Sequence, residues 1–184
     1  MFISPDARVI PFRGARPVIG RGVFIAPGAV VLGDVILEEE VSVWYNTVIR
    51  GDVHFIRIGR QTNIQDGCVL HVTNDTHPLH VGSRVTVGHG VILHGCTIDD
   101  GCLIGMGATL LDGARIGEGS LVAAGSVVAP GEKIPPGVLA LGSPARVRRT
   151  LNVEERERVR VAADLYIGYA REHASELQPG GPRP

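Results

Sequence analysis

The chain has few aromatic residues and almost no net charge. Aromatic side chains make up 4% of its 184 residues, so an aliphatic core is expected. A formal net charge of −1 argues against a nucleic-acid binder that works by neutralising phosphates. No apolar run approaches the ~20 residues of a membrane-spanning helix, and the first residues lack the pattern of a signal peptide. We therefore expect a cytoplasmic protein that binds neither nucleic acid nor membrane.

Cysteine is also scarce. Cys68, Cys96 and Cys102 are an odd number and lack the spacing of a metal finger. We interpret them as small buried thiols in a reducing compartment, with a disulfide or a reactive thiol as the alternative. Glycine and proline are abundant, at 25 and 12 residues, and both interrupt helices. The composition therefore argues against a helical bundle.

Aliphatic residues recur every six positions, in nineteen hexads with two insertions and one deletion. They are Ile19, Ile25, Val31, Leu37, Val43, Ile49, Ile58, Ile64, Leu70, Val81, Val87, Leu93, Ile98, Ile104, Leu110, Ile116, Val122, Val128 and Ile134. This period is typical of a hexapeptide-repeat parallel β-helix, in which three short strands form one triangular coil of ~18 residues. Nineteen hexads predict about six coils. A β-sandwich does not fit, because its turns come every ~8–12 residues.

The two ends of the chain depart from this repeat. We assign residues 1–150 to the all-β helix, with residues 1–18 covering its first open edge. Residues 151–177 have helical spacing of apolar side chains, and Asn152 and Glu155 have the spacing of a capping box. This segment is predicted to be one amphipathic α-helix packed outside the prism, and residues 178–184 a flexible tail.

The repeat places two histidines next to each other. Residues three hexads apart lie on the same face, one coil apart, so His71 and His94 stack in register with Arg50 beneath them. His89 lies on the preceding face, above Asp66. A single prism therefore directs His89 away from the pair, whereas a neighbouring prism in a threefold assembly could bring its own His89 towards it.

Two imidazoles in register, with a third from a neighbour, are suited to zinc or another divalent ion and leave a fourth position for water. The alternative is that these histidines are surface residues that form hydrogen bonds at an interface and bind no metal. The other histidines carry a weaker signal. We interpret His77 and His80, in the insertion 72–80, as part of a polar loop rather than as metal ligands, and His54 and His173 as solvent-facing.

Several segments resemble the γ-class carbonic anhydrases and their close bacterial relatives. They are Val48-Ile49-Arg50-Gly51-Asp52, Asn63-Ile64-Gln65-Asp66-Gly67, Val69-Leu70-His71 and Gly88-His89-Gly90-Val91-Ile92-Leu93-His94. The resemblance runs from about residue 9 to residue 170. It implies a left-handed β-helix and a homotrimer with one metal ion at each of three subunit interfaces. The ion is Zn²⁺, with Fe²⁺ or Co²⁺ as alternatives, held by His71 and His94 of one chain and His89 of the next.

The resemblance also implies roles for residues around the metal. Gln65 matches the residue that hydrogen-bonds the metal-bound water, and Asn63 matches one that lines the site. Arg50 matches a residue that forms an intersubunit ion pair and helps to hold bicarbonate. Its acidic partners match Asp52 and Asp66. Tyr166 best matches a tyrosine that some relatives place near the metal; Tyr169 or a core role for Tyr166 are the alternatives.

The implied activity is the reversible hydration of CO2 to bicarbonate by a metal-bound hydroxide, a lyase reaction. The glutamates that act as proton shuttles in archaeal members have no counterpart at Val53 or in the loop containing Asn74 and Asp75. We therefore expect weak activity. Two other classes of function remain open: CoA-linked chemistry, either acyl transfer or acyl-CoA thioester hydrolysis, and a metal-bearing scaffold without catalysis.

Overall fold

The protein is described by a computed structural model covering residues 1–177, in which short strands wind into a parallel β-solenoid followed by one helix. The strands and helix are β1 Phe2–Ile3, β2 Arg8–Ile10, β3 Val18–Ile19, β4 Phe24–Ile25, β5 Val30–Leu37, β6 Ser42–Val43, β7 Val48–Ile58, β8 Asn63–Ile64, β9 Val69–His71, β10 Leu79–Val81, β11 Thr86–Val87, β12 Ile92–His94, β13 Thr97–Ile98, β14 Leu103–Ile104, β15 Thr109–Leu110, β16 Arg115–Ile116, β17 Leu121–Val122, β18 Val127–Val128, β19 Lys133–Ile134, β20 Val138–Gly142, β21 Ala145–Thr150 and α1 Val153–Glu176. The predicted tail 178–184 lies outside the described residues.

The strands form three faces of a prism. The first face stacks β1, β4, β6, β8, β11, β14, β17 and β20 in parallel, and β21 pairs antiparallel with β20 at its end. The second face contains β2, β9, β12, β15 and β18, and the third contains β3, β10, β13, β16 and β19. The long strands β5 and β7 run across both of these faces.

The hexapeptide solenoid and its C-terminal helix are confirmed, but the count of about six coils was too low. The first face has eight parallel strands, which corresponds to about eight turns. Residues 1–19 contribute the three strands β1, β2 and β3 and thus form a coil of their own, whereas the sequence predicted that residues 1–18 only cover the open edge. β20 adds a further strand after the last hexad.

The core is a column of aliphatic side chains along the prism axis. The hexad positions from Ile25 to Ile134 are almost completely buried, as the low aromatic content predicted. The three cysteines are free and buried in this core, and burial raises the pKa of each thiol to about 12. They are therefore unreactive packing residues rather than nucleophiles.

Helix α1 runs back along the first face. Its N-terminus has a capping box, in which the Glu155 amide donates to Asn152 Oδ1 at 2.8 Å and the Asn152 amide donates to Glu155 Oε2 at 3.0 Å. The helix then contacts β11, β8, β6 and β4. Near its other end, Arg171 forms an ion pair with Glu40. Among residues 1–177, no helix combines the length and the hydrophobicity needed to cross a membrane.

Candidate metal centre

His71 and His94 lie side by side on the second face. They end β9 and β12 and are direct partners in the parallel ladder, which is the register that the hexad count predicts. Their ring centroids are 5.1 Å apart, and Nδ1 of His71 faces Nε2 of His94 at 3.1 Å. Both side chains are only partly exposed, so the two nitrogens meet in a sheltered position at the prism surface.

A carboxylate holds the opposite nitrogen of each ring. Nε2 of His71 donates to Asp52 Oδ1 at 3.0 Å, and Nδ1 of His94 donates to Asp112 Oδ1 at 2.7 Å. A neutral imidazole carries its proton on one nitrogen and a lone pair on the other. The carboxylates therefore select the tautomers in which the lone pairs of the two rings face each other.

This pair of lone pairs fits a metal ion. Two nitrogens bound at ~2.0–2.1 Å to a tetrahedral ion lie roughly 3.3 Å apart, close to the observed 3.1 Å. Histidine ligands usually donate their second N–H to a carboxylate or carbonyl, as both rings do here. His71 and His94 therefore have the donor atoms and the supporting contacts that a divalent ion needs.

The two supporting carboxylates stay ionised. Burial alone raises the pKa of Asp52, but hydrogen bonds from His71 and Arg50 outweigh it and lower the pKa. The same balance lowers the pKa of Asp112, where the opposing hydrogen bonds come from His94 and Thr73. Because each carboxylate keeps its charge, each is a strong acceptor for the imidazole N–H.

Asp52 also connects the pair to Arg50. Arg50 Nη1 donates to Asp52 Oδ2, while the other oxygen of the same carboxylate accepts from His71. The Arg50 side chain is 45% exposed, so its guanidinium remains accessible to an anion in front of the two rings. Arg50, Asp52, His71, His94 and Asp112 are called the His71 half-site below.

His89 belongs to a different group of residues. Its Nδ1 bonds Asp66 Oδ2 at 2.7 Å, and both side chains are exposed by more than a third. Among residues 1–177, no three His, Cys, Asp or Glu side chains are grouped as metal ligands. His89 of the same chain therefore does not complete the His71–His94 pair.

Gln65 and Asn63 lie buried on the first face, at the same coil level as Asp66. Gln65 Nε2 donates to Asn63 Oδ1 at 3.1 Å, and Asn63 Nδ2 donates to Thr86 Oγ1 at 2.9 Å. These bonds fix the orientation of both amides. Asn63, Gln65, Asp66 and His89 are called the His89 half-site below, so the site residues indicated by the sequence form two separate groups within one chain.

An aromatic cavity of about 350 Å³ adjoins the His89 half-site. Its lining consists of Trp44, Tyr45, Asp66, His89, Tyr166, Tyr169 and His173. The Tyr166 ring packs edge-on against Trp44, with centroids 5.3 Å apart, and burial raises its pKa. Tyr166, on α1, thus lines the cavity and packs against Trp44 of the prism at the same time, while Tyr169 is more exposed at the same cavity.

Two expectations about other histidines were wrong. His173 is not solvent-facing, because its Nδ1 bonds the Tyr45 hydroxyl at 2.9 Å and its ring packs on Trp44. His54 is half-buried beside Phe55. His77 lies in the loop of the insertion, as expected, whereas His80 lies in β10 and is exposed on the third face.

Sequence reasoning missed Asp112. The hexad count places Leu111 in the column of His94, and Asp112 is the next residue, one coil beyond Gly95. Asp112 is one residue beyond the column along the chain, and its side chain reaches back to the His94 ring.

Comparisons with known proteins agree with this architecture. The family model described as "Bacterial transferase hexapeptide (six repeats)" matches residues 16–51 and 95–130. A carbonic anhydrase from Geobacillus kaustophilus is 49% identical over 155 residues, which are 83% of this chain and 85% of that protein. The mitochondrial gamma carbonic anhydrase 1 of Arabidopsis thaliana is 42% identical over 87% of this chain and 60% of its own length. A solved structure from Bacillus cereus, provisionally described as an acetyltransferase, superposes with a TM-score of 0.91 at 46% identity and covers 94% of this chain and 99% of that one.

Proposed function

The chain belongs to the γ-carbonic anhydrase family of hexapeptide-repeat proteins, and we propose that it catalyses the reversible hydration of CO2 to bicarbonate. The reaction takes place at a metal centre between the subunits of a homotrimer of left-handed β-helices. The observation that carries the proposal is the His71–His94 pair. Its facing nitrogens are 3.1 Å apart, and Asp52 and Asp112 hold the two opposite nitrogens.

The separation of the two half-sites supports a metal site that is shared between subunits. One chain supplies two facing imidazoles on the second face and a third imidazole elsewhere, so His89 of the partner subunit completes the set. Closed threefold symmetry forms three such sites without leaving an unsatisfied half-site. Val69 and Ile92 flank the pair with 44% and 43% exposure and provide apolar surface that association would bury.

His71, His94 and His89 of the partner subunit would hold Zn²⁺, and imidazole ligands also suit Fe²⁺ and Co²⁺. Such an ion lowers the pKa of water to about 7 and so supplies a nucleophile at neutral pH. The other residues of the chain bind and orient. Arg50 stabilises the anionic product by a charge-assisted contact, and Asp52 aligns Arg50 and His71 together.

Gln65 orients the reacting water and CO2 by hydrogen bonding, because Asn63 holds its amide in one position. Asp66 aligns His89 in the same way that Asp52 aligns His71. Tyr166, or Tyr169 beside it, borders the site through the aromatic cavity. Val53 cannot carry a proton and Asp75 is exposed in a loop, so proton release to solvent limits turnover and activity is weak.

The second candidate is hydrolysis of an acyl-CoA thioester, or acyl transfer, at the same site. The observation in its favour is the aromatic cavity of about 350 Å³ beside His89, which is larger than CO2 requires. A scaffold without catalysis is less consistent with the site, because neither the Arg50–Asp52 pair nor the fixed Gln65 amide is needed for assembly.

The test is CO2 hydration measured by stopped flow, with metal content and mass determined on the same protein. We expect a trimer with one metal per chain. His94→Ala should lose both metal and activity, whereas His80→Ala, on the exposed third face, should keep both. Gln65→Ala should keep the metal and lose activity. A monomer, or full metal content in His94→Ala, contradicts the proposed site. Metal without CO2 hydration, but with thioester hydrolysis, selects the second candidate.

A further inference from the structure

The insertion between β9 and β10 is folded against the His71 half-site. It leaves the hexad repeat after Val72 and returns at Leu79. Thr73 and His77 form a bridge within it, with the Thr73 amide donating to the His77 carbonyl at 3.1 Å and the His77 amide donating to the Thr73 carbonyl at 3.3 Å. The loop therefore has a defined shape, and this shape fixes the position of Thr73.

Thr73 contacts the carboxylate that holds His94. Its hydroxyl donates to Asp112 Oδ2 at 2.8 Å, while Asp112 Oδ1 accepts from His94 Nδ1 at 2.7 Å. One carboxylate thus joins the loop to the imidazole, and each of its oxygens has its own donor. The same arrangement exists at the other ring, where Asp52 accepts from Arg50 and His71.

The loop also fits closely around the residue that follows His94. A Cβ atom at Gly95 would lie 2.3 Å from Asp112 Oδ1 and 2.7 Å from His77 Cβ. A Cβ atom at Gly113, the residue after Asp112, would lie 3.4 Å from the His77 ring. Asp112 and His77 therefore both lie against Gly95, and no side chain fits there unless one of them shifts.

From these contacts we infer that the insertion is a positioning device for His94. The Thr73 hydroxyl holds the Asp112 carboxylate in position by a hydrogen bond. Asp112 in turn fixes the tautomer and the orientation of the His94 ring, so that Nε2 faces His71. Carboxylates that bind histidine ligands typically change metal affinity by about 10- to 100-fold when they are lost. The inference rests on the proposed function in taking His94 as a metal ligand, and it assigns a role to a loop that the repeat does not explain.

The test compares Thr73→Val, which has the same shape without the hydroxyl, with Thr73→Ser, which keeps the hydroxyl. Thr97→Val on the third face is the matched control. Co²⁺ affinity is measured by competition with a chelator, and the Co²⁺ absorption spectrum reports the geometry of its ligands. We expect Thr73→Val to weaken Co²⁺ binding by about tenfold or more and to change the spectrum. Thr73→Ser and Thr97→Val should remain near wild type.

A second comparison separates positioning from a general loss of structure. Asp112→Asn should weaken binding at least as much as Thr73→Val. If Thr73 acts through Asp112, adding Thr73→Val to Asp112→Asn should change the affinity little further. Additive losses, failure of Thr73→Ser to restore binding, or wild-type affinity in Thr73→Val overturns the inference alone. A wild-type protein that binds no Co²⁺ overturns the metal centre and the inference together.

Discussion

Replacing Gly95 by alanine tests whether the close packing around His94 is as tight as the structure indicates. Gly95 has a φ of +52°, and an added Cβ would lie within 2.3 Å of Asp112 Oδ1. Gly101 has a similar φ of +62°, but an added Cβ there would meet nothing within 4 Å. The two substitutions therefore share the backbone strain and differ in the steric contact.

The expected difference in unfolding free energy between the two variants follows from the backbone strain and the steric contact. A side chain in the left-handed region costs roughly 1–2 kcal/mol at either position. Overpacking at Gly95 adds about 1–3 kcal/mol, because the Asp112 carboxylate and the His77 backbone must both move. Gly95→Ala should therefore lower the free energy of unfolding by about 1–3 kcal/mol more than Gly101→Ala does. It should also weaken metal binding, because the displaced carboxylate is the one that holds His94.

The assay is urea unfolding followed by circular dichroism, with both variants at one protein concentration because the stability of an oligomer depends on concentration. Co²⁺ affinity is measured on the same samples. Equal unfolding free energies for the two variants would refute the argument, since the steric contact would then have no energetic consequence. Unchanged Co²⁺ affinity in Gly95→Ala would show that Asp112 can move without affecting His94.

Two further predictions concern the helix cap and the core. Glu155→Gln should lower the thermal midpoint at pH 7, because hydrogen bonds from Arg149 and from the Asn152 amide lower the Glu155 pKa from 4.5 to about 2. This stabilisation is present above about pH 4.5 and is lost as the pH falls towards 2, so melting curves of the two proteins should converge there; a constant gap would exclude the ion pair as its cause. Ile104→Ala, at a fully buried hexad position, should cost about 2–5 kcal/mol in urea unfolding, against about 0.5–1.5 for Ile104→Val. Equal losses of unfolding free energy in the two variants would mean that the coil rearranges to fill the cavity left by Ile104→Ala.

The hexad period allowed much of the fold to be predicted, because in a prism each position in the repeat has one place in space. The register of His71 and His94 and the inward direction of Leu70 and Leu93 follow from counting alone. The first coil was missed because its hexad spacing is short: Ile3 and Val9 are six residues apart, but Ile19 follows only after an insertion. The backbone pairing of β1, β2 and β3 with β4 and β5 shows that these residues belong to the solenoid.

The candidate site was predictable only where it depends on backbone register. Asp112 and Thr73 reach His94 through side-chain torsions and a loop that no repeat specifies. His173 was assigned to solvent because helical spacing alone does not show which aromatic residues of the prism lie opposite it. Tyr45 and Trp44 are more than 120 residues away in sequence, and only the direction in which α1 runs brings them together.

The direction in which α1 runs along the first face affects how the protein unfolds. Coils in a solenoid contact only their immediate neighbours, so the stack should fray from its ends. Helix α1 starts next to the last strand of the first face, where the Leu151 amide bonds the Gly137 carbonyl, and its far end lies beside β1 and β4, where Ala174 packs with Phe2 and Phe24. Loosening the first coil removes the support of the helix, and the loosened helix in turn uncovers the later coils. Because α1 spans from one end of the prism to the other, we expect the terminal coils to unfold together rather than one after another.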